Sequence, residues 1–181
     1  VSNAIPAVAG AVNTSYITDA AVTTAKIDDA AVTQAKLGAG VAGNGPAFSA
    51  YQSTLQSISN ATWTKAALQT EEFDTNSNFD STTNYRFTPT VAGYYQVTGS
   101  VQFAAPLTSV VVVSVYKNGS SYKRGMLGNA SFYSFTVSAL VYLNGTTDYV
   151  ELYALQNSGG AVNTDAQPNT TYFQAAMVRS A

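Results

Sequence analysis

The chain contains neither cysteine nor histidine. Disulfides are therefore excluded, as are thiolate and imidazole metal sites and any Ser-His-Asp arrangement. Charge is scarce as well: 10% of the residues are Asp, Glu, Lys or Arg, against roughly 25% in an ordinary soluble domain. With eight Lys and Arg against ten Asp and Glu, and a net charge of −2, no cluster of cations is present to neutralise phosphates. Nucleic acid is not an expected partner. Apolar runs such as Val110–Val113 fall far short of the about 20 residues that a membrane-spanning helix needs, so no membrane insertion is expected. No Gly-rich phosphate loop occurs. The chain begins at Val1 rather than Met, as a fragment or a processed product would.

Ser, Thr, Asn, Gln and Gly fill the space that charge leaves. Such a surface, polar but weakly charged, suits a rigid extracellular or virion part better than a cytosolic enzyme. A length of 181 residues accommodates one sizeable domain and an appendage, and the composition divides accordingly. Residues 1–40 are rich in Ala, Val and Thr, with Tyr16 their one aromatic. Residues 41–46 continue a Gly-rich hinge that runs from Gly38 to Pro46. Residues 47–181 hold the other aromatics and form the expected head domain.

The first segment carries a ten-residue repeat. Ile17–Lys26 and Ile27–Lys36 differ only at Thr18/Asp28 and Thr24/Gln34, and Leu37 begins the next period. Branched residues recur every five positions, at Ile17, Val22, Ile27, Val32 and Leu37. Five steps of an α-helix turn about 500°, which scatters them around the helix and argues against a heptad coiled coil. Five steps of a strand reverse the face and ten restore it. The pattern predicts extended segments broken by short turns, with a short Ala-rich helix as the alternative. So small a segment is expected to pack against copies of itself or against a partner.

The head predicts an all-β domain. In Gly93–Phe103, Tyr95, Val97, Val101 and Phe103 fall on one face, and Tyr94, Gln96, Thr98, Ser100 and Gln102 on the other. Val110–Tyr116 leads into the turn Lys117–Ser120, and Phe132–Leu143 ends at Asn144-Gly145. Further strands are expected over Ala47–Gln52, Trp63–Gln69, Tyr85–Thr88, Tyr149–Leu155 and Thr171–Arg179. Many short strands between regular turns, with no amphipathic helix of useful length, mean a sandwich or barrel.

In the order in which they occur, these residues resemble the globular head of complement C-one-q. The matching elements are Ala47-Phe48-Ser49-Ala50, then Phe79-Asp80 and Asn84 to Pro89, then Ala92-Gly93-Tyr94-Tyr95-Gln96-Val97. Lys117-Asn118-Gly119, Ala139 to Gly145 with Asp148 to Leu152, and Tyr172 to Met177 follow. Thr146 and Thr147 separate a Gly-Asp pair that is adjacent in that family, which lengthens the hairpin loop. The resemblance implies a ten-stranded jelly roll of the tumour-necrosis-factor type, a homotrimer. Where that family has a collagen stalk, this chain has its decapeptide repeats, which resemble those of bacteriophage tail and head fibres.

Taken together, the resemblances imply a structural and receptor-binding part of a trimeric viral fibre or spike, located on a virion and extracellular. Its stem would hold other virion structural proteins, and its knob would touch host-surface glycan or protein. Tyr122, Lys123, Arg124, Phe132 and Tyr133, in an expected long loop of otherwise small residues, are the candidate binding residues. The Gly-, Ser- and Asn-rich segment Gln156–Gln167 is a second expected loop. No catalytic residue, metal or cofactor is expected, and the chain is not read as an enzyme. Asp74 and Asp80 are expected in Asx-type turns rather than in a calcium loop. Glu71 and Glu72, adjacent in sequence, are expected to face opposite ways. A bacterial surface or spore-coat protein with the same head is one alternative. Another is a carbohydrate-active enzyme with carboxylates between subunits.

Overall fold

A computed structural model describes residues 44–107, 109–125 and 132–181, and upstream only positions 22, 23, 27, 28, 31, 32, 36 and 37. The chain divides into two units, Val1–Leu37 and Gly38–Ala181. Most of the expected stem, and the hinge up to Gly43, lie outside the described residues. Within the first unit, Val22, Ile27 and Val32 are exposed. A backbone hydrogen bond from Ala31 N to Asp28 O (2.9 Å) closes a turn there, and Lys36 Nζ donates to Ala31 O at 2.5 Å.

Among the described residues of the second unit there are thirteen strands. They are β1 (Ala47–Tyr51), β2 (Ser57–Ile58), β3 (Thr64–Lys65), β4 (Thr70–Asp74), β5 (Phe79–Asp80), β6 (Arg86–Phe87) and β7 (Ala92–Leu107). After them come β8 (Val111–Lys117), β9 (Ser120–Arg124), β10 (Phe132–Asn144), β11 (Val150–Gln156), β12 (Val162–Asn163) and β13 (Tyr172–Ser180). One sheet has the order β10-β7-β13-β1-β4 and the other β5-β6-β11-β8-β9, with all these pairings antiparallel. Seven of these ten, β1, β6, β7, β8, β10, β11 and β13, are strands that the sequence reading expects. The two-residue strands β3, which pairs with β11, and β2 and β12, which pair with each other, are accessory.

Alternation drives the sandwich. Tyr95, Val97, Val101 and Phe103 of β7 are fully buried, and Phe135, Val137, Ala139, Val141 and Leu143 of β10 join them. The registers Val97↔Ala139, Tyr95↔Val141 and Val97↔Ala175 align the apolar faces of β10, β7 and β13. At the centre, the Phe48 ring stacks on Phe79 at 4.5 Å and on Phe87 at 4.6 Å, and meets Phe173 edge-on at 5.4 Å. Tyr95 lies edge-on to Phe87 at 5.5 Å and donates its hydroxyl to Val91 O at 2.7 Å. Burial pushes that phenol up to about 12. The aromatic residues at separate points of the sequence resemblance are thus one packed cluster. Gly99 faces the second sheet, and a Cβ there would run into the Leu152 side chain.

Turn chemistry joins distant parts of the chain. Asn118 and Gly119 both have positive φ, 51° and 75°, as the two-residue turn between twisted strands requires. The longer loop after β10 is capped by Asn144, whose Oδ1 accepts from the backbone N–H of Thr146, Thr147 and Asp148. Asp148 then ties the two turns together, accepting from Asn118 Nδ2 at 2.8 Å and pairing with Lys117 Nζ at 3.0 Å. The Asn118 hydrogen bond, aided by Lys117, holds the Asp148 carboxyl below the usual carboxylate range.

Two longer stretches differ from expectation. Thr70–Asp74, not among the expected strands, is an edge strand beside β1. Ser120–Arg124, expected as loop, is the edge strand β9, paired with β8 through the Asn118-Gly119 turn. Neither strand buries any residue; with both faces wet, no alternation marks them in the sequence. The Gln156–Gln167 segment is pinned as well: Gln156, fully buried, donates through Nε2 to Ile58 O at 3.0 Å and Gly160 O at 2.7 Å. Among the described residues no buried side-chain nitrogen or oxygen lacks a partner, and no helix is long and apolar enough to cross a membrane.

Candidate binding surfaces

The two sheets present chemically different outer faces. Lys65, Arg86, Lys117, Lys123 and Arg124 all stand on strands of the second sheet. In the first sheet, the outward positions of β10, β7, β13 and β1 alternate with the core and are Ser, Thr, Gln, Tyr, Ala, Val and Leu, with Arg179 the one charge. Leu140 (53% exposed), Tyr142, Tyr94 and Val178 gather at one end of that face. Tyr94 and Tyr142 are direct cross-strand partners with rings 5.5 Å apart. A depression there is lined by Tyr94, Leu140, Val178 and Arg179.

Strand geometry divides the residues that the sequence groups as a binding cluster. On β9, Lys123 lies opposite Val115, whose side chain is in the core, whereas Arg124 lies opposite Ser114. Successive side chains leave a strand on opposite faces. At Tyr122 the register of β9 on β8 shifts, and its side chain departs from this alternation to reach across the open side of the sandwich, donating its hydroxyl to Leu140 O at 3.1 Å, with the Lys123 ammonium 5.2 Å from its ring. Arg124 turns instead onto the outer face of the second sheet, 5.4 Å from the Trp63 ring. Phe132 and Tyr133 lie in β10, not in a loop; their side chains fall outside the described residues.

Around Arg124 is a surface that the sequence reading missed. Trp63 meets Tyr116 edge-on at 5.7 Å, and Tyr116 stacks on Tyr153 at 4.0 Å. Burial raises both phenols, opposed at Tyr116 by the charge of Arg124. Beside Tyr153, the buried Glu151 pairs with Lys65 at 2.5 Å, and Lys65 also donates to Asn84 O at 3.0 Å. Past this pair, the Arg86 guanidinium lies 4.4 Å from the Tyr149 ring. Tyr149, Glu151 and Tyr153 follow one another along the outer side of β11. The one available signal was an aromatic at an outward position of a strand where polar residues are the rule.

The carboxylates of the head are otherwise engaged. Ser81 donates to Glu71 at 2.7 Å and Ser49 to Glu72 at 2.6 Å. Asp74 accepts from Asn76 N and Phe79 N. Asp80 accepts from the backbone N–H of Thr82, Thr83 and Asn84, which holds its carboxyl well below the usual range. These are the turn-forming roles expected of Asp74 and Asp80. Among the described residues no three acidic side chains come together as a metal set.

No protein-family model and no curated protein matches the sequence. Solved structures do. The Eiger TNF from S. frugiperda superposes with a TM-score of 0.58 at 10% identity, over 75% of this chain and 93% of that one. Murine APRIL gives 0.55 at 12%, over 73% and 98%. The head is a tumour-necrosis-factor-like jelly roll. The PRD1 vertex protein P5 has the same fold, with a TM-score of 0.57 at 19% identity over 74% of this chain and 97% of that one. At these identities the likeness is one of fold. The decapeptide repeats, whose resemblance is to phage fibres, lie largely outside the described residues.

Proposed function

We propose that this chain is a structural and receptor-binding part of a homotrimeric virion fibre or spike of a bacteriophage. In that reading the jelly roll is its knob and the repeat segment its stem. The observation that carries this reading is the outward face of β10, β7, β13 and β1 in the five-stranded sheet, whose edge strand β4 carries Glu71, Glu72 and Asp74. A four-strand face that is almost free of charge, and that gathers Leu140, Tyr142, Tyr94 and Val178 in one patch, has the chemistry of an oligomer interface rather than of an open surface. The neighbouring side of the sandwich is formed by the edge strands β9 and β10, bridged by Tyr122. Packing one head's edge on the next head's face is a heterologous contact, which closes into a ring. Three members is the number that the sequence resemblance implies.

Association would also serve the stem, whose Val22, Ile27 and Val32 are exposed in the single chain. Other virion structural proteins are its proposed partners, and a host-surface glycan or protein is the partner of the knob. Weak binding by each head becomes strong through three. A vertex protein with the same fold supports a virion, extracellular setting. Recognition is favoured over catalysis, because every described carboxylate of the head already holds a hydrogen bond or an ion pair. Sedimentation at micromolar concentration tests the assembly. A trimer mass is expected, and Leu140→Glu should yield monomers that keep the β-rich spectrum. A clean monomer from the unaltered chain overturns the proposal.

A further inference from the structure

The outer face of the second sheet is opposite the face assigned above to trimer contacts; at the β9–β10 side, Tyr122 would meet a neighbouring head, whereas Arg124 turns to the outer face beside Trp63. Its aromatic and cationic residues form one band. Arg86 and Tyr149 stand at one end, Tyr153 and Tyr116 in the middle, and Trp63 with Arg124 at the other. Three observations say what such a band would hold.

The first concerns charge. The described residues contain two ion pairs, Lys65–Glu151 and Lys117–Asp148. Arg86 and Arg124 belong to neither: Arg86, whose cross-strand partners are Asp80 and Glu151, lies beside the Tyr149 ring, and Arg124, whose Nε donates to Ser121 Oγ at 3.5 Å, lies beside the Trp63 ring. The terminal amino groups of a guanidinium beside a ring can still take a carboxylate. The second concerns the rings. Trp63, Tyr116, Tyr149 and Tyr153 are half-buried and so held in place by packing, and rigid amphipathic rings give contact area at little entropic cost. The third is spacing. Arg86 and Arg124 stand on β6 and β9, three strand steps apart and offset by about two residues, which places them roughly 15 Å apart. That span suits a chain of sugar rings carrying repeated acidic groups rather than one small anion.

We infer that this band is a binding site for an acidic, carboxylate-bearing glycan, with Arg86 and Arg124 taking carboxylates and the rings between them contacting pyranose faces. The inference rests on the receptor-binding reading above and names its ligand class. Trp63 is the only tryptophan in the chain, so intrinsic fluorescence reports on the site directly.

The test titrates the full chain with an oligogalacturonate and, in parallel, with the same oligosaccharide after reduction of its carboxyls to neutral alcohols. The expected result is a saturable change in Trp63 fluorescence with the acidic sugar. Binding should weaken as salt is raised and should be at least about tenfold weaker for the neutral form. Arg124→Gln, on an exposed edge strand, should lose about tenfold in affinity with an unchanged melting temperature and trimer mass. Arg86→Gln should do the same from the other end of the band. The inference is overturned if fluorescence does not respond to the acidic sugar, if the neutral form binds equally well, or if both Arg variants bind as the parent does. A trimer that binds host cells but fails these titrations sinks the site and leaves the receptor-binding reading standing. A monomer that binds neither sinks both.

Discussion

Removing the Lys65 ammonium is the perturbation whose cost the structure fixes most closely. The Glu151 side chain is 4% exposed and that of Lys65 29%. Breaking a fully buried ion pair from one side costs about 3–5 kcal/mol, because the remaining charge is left without compensation. A fully exposed pair is worth about 0–1 kcal/mol. Glu151 is on the buried side of this range, while Lys65 keeps some contact with water. Lys65→Met, which preserves the length of the stem of the side chain, should therefore cost about 3 kcal/mol. In a head of this size that lowers the melting temperature by roughly 10 °C. Part of the loss belongs to the hydrogen bond from Lys65 to Asn84 O. The double variant Lys65→Met with Glu151→Leu separates the contributions, since it removes the stranded carboxylate as well; it should return to within about 1 kcal/mol of the parent. Urea unfolding followed by circular dichroism, at one fixed protein concentration, measures all three proteins. A loss below about 1 kcal/mol for Lys65→Met, or a double variant no more stable than the single one, would refute the reasoning.

Three further outcomes follow from the packing and the turns. Phe48→Ala empties the centre of a five-ring cluster and should cost about 3–5 kcal/mol in the same assay; a loss near 1 kcal/mol would mean that the neighbouring rings close the gap. Gly99→Ala should destabilise by about 1–3 kcal/mol through overpacking against Leu152, and adding Leu152→Val should recover part of it. The Asp148 carboxyl is depressed by Asn118 and Lys117, and the Asp80 carboxyl by the backbone N–H of Thr83 and Thr82. For a depressed acid the stabilisation is complete above the unfolded value, about pH 4, and drains as pH falls through the folded value. Urea midpoints taken between about pH 5 and pH 2 should therefore fall less steeply for Asp148→Asn than for the parent, and an identical slope would contradict the assignment.

Much of the fold was legible because most strands wet one face and bury the other. Tyr95, Val97, Val101 and Phe103 announce β7 in this way, and Phe135 to Leu143 announce β10. The edge strands β4 and β9 bury nothing, so nothing in their sequence separates them from loops. The candidate site was legible only in part. Tyr122, Lys123 and Arg124 are neighbours in sequence, but on a strand they part company: Arg124 goes to the outer face, and Tyr122 with Lys123 to the open side. Trp63, Tyr116 and Tyr153 come together from distant points of the chain through the pairing of β8 and β11 and the path leading into β3. No local pattern encodes that meeting.

By itself the sequence determined the class of the head, those strands that wet one face and bury the other, and the turn at Asn118-Gly119. Alternation and the positive-φ preference of Asn-Gly are local properties, fixed by a residue and its immediate neighbours. The absence of His and Cys from these 181 residues also leaves thiolate and imidazole chemistry without side chains to carry it. Only the tertiary structure decided how charge is shared between the faces. Four strands of one sheet turn outward a nearly neutral surface, and the other sheet a band of rings with two arginines outside any ion pair. That division depends on strand order and register, which bring together residues tens of positions apart, and on pleating, which sends adjacent residues to opposite sides.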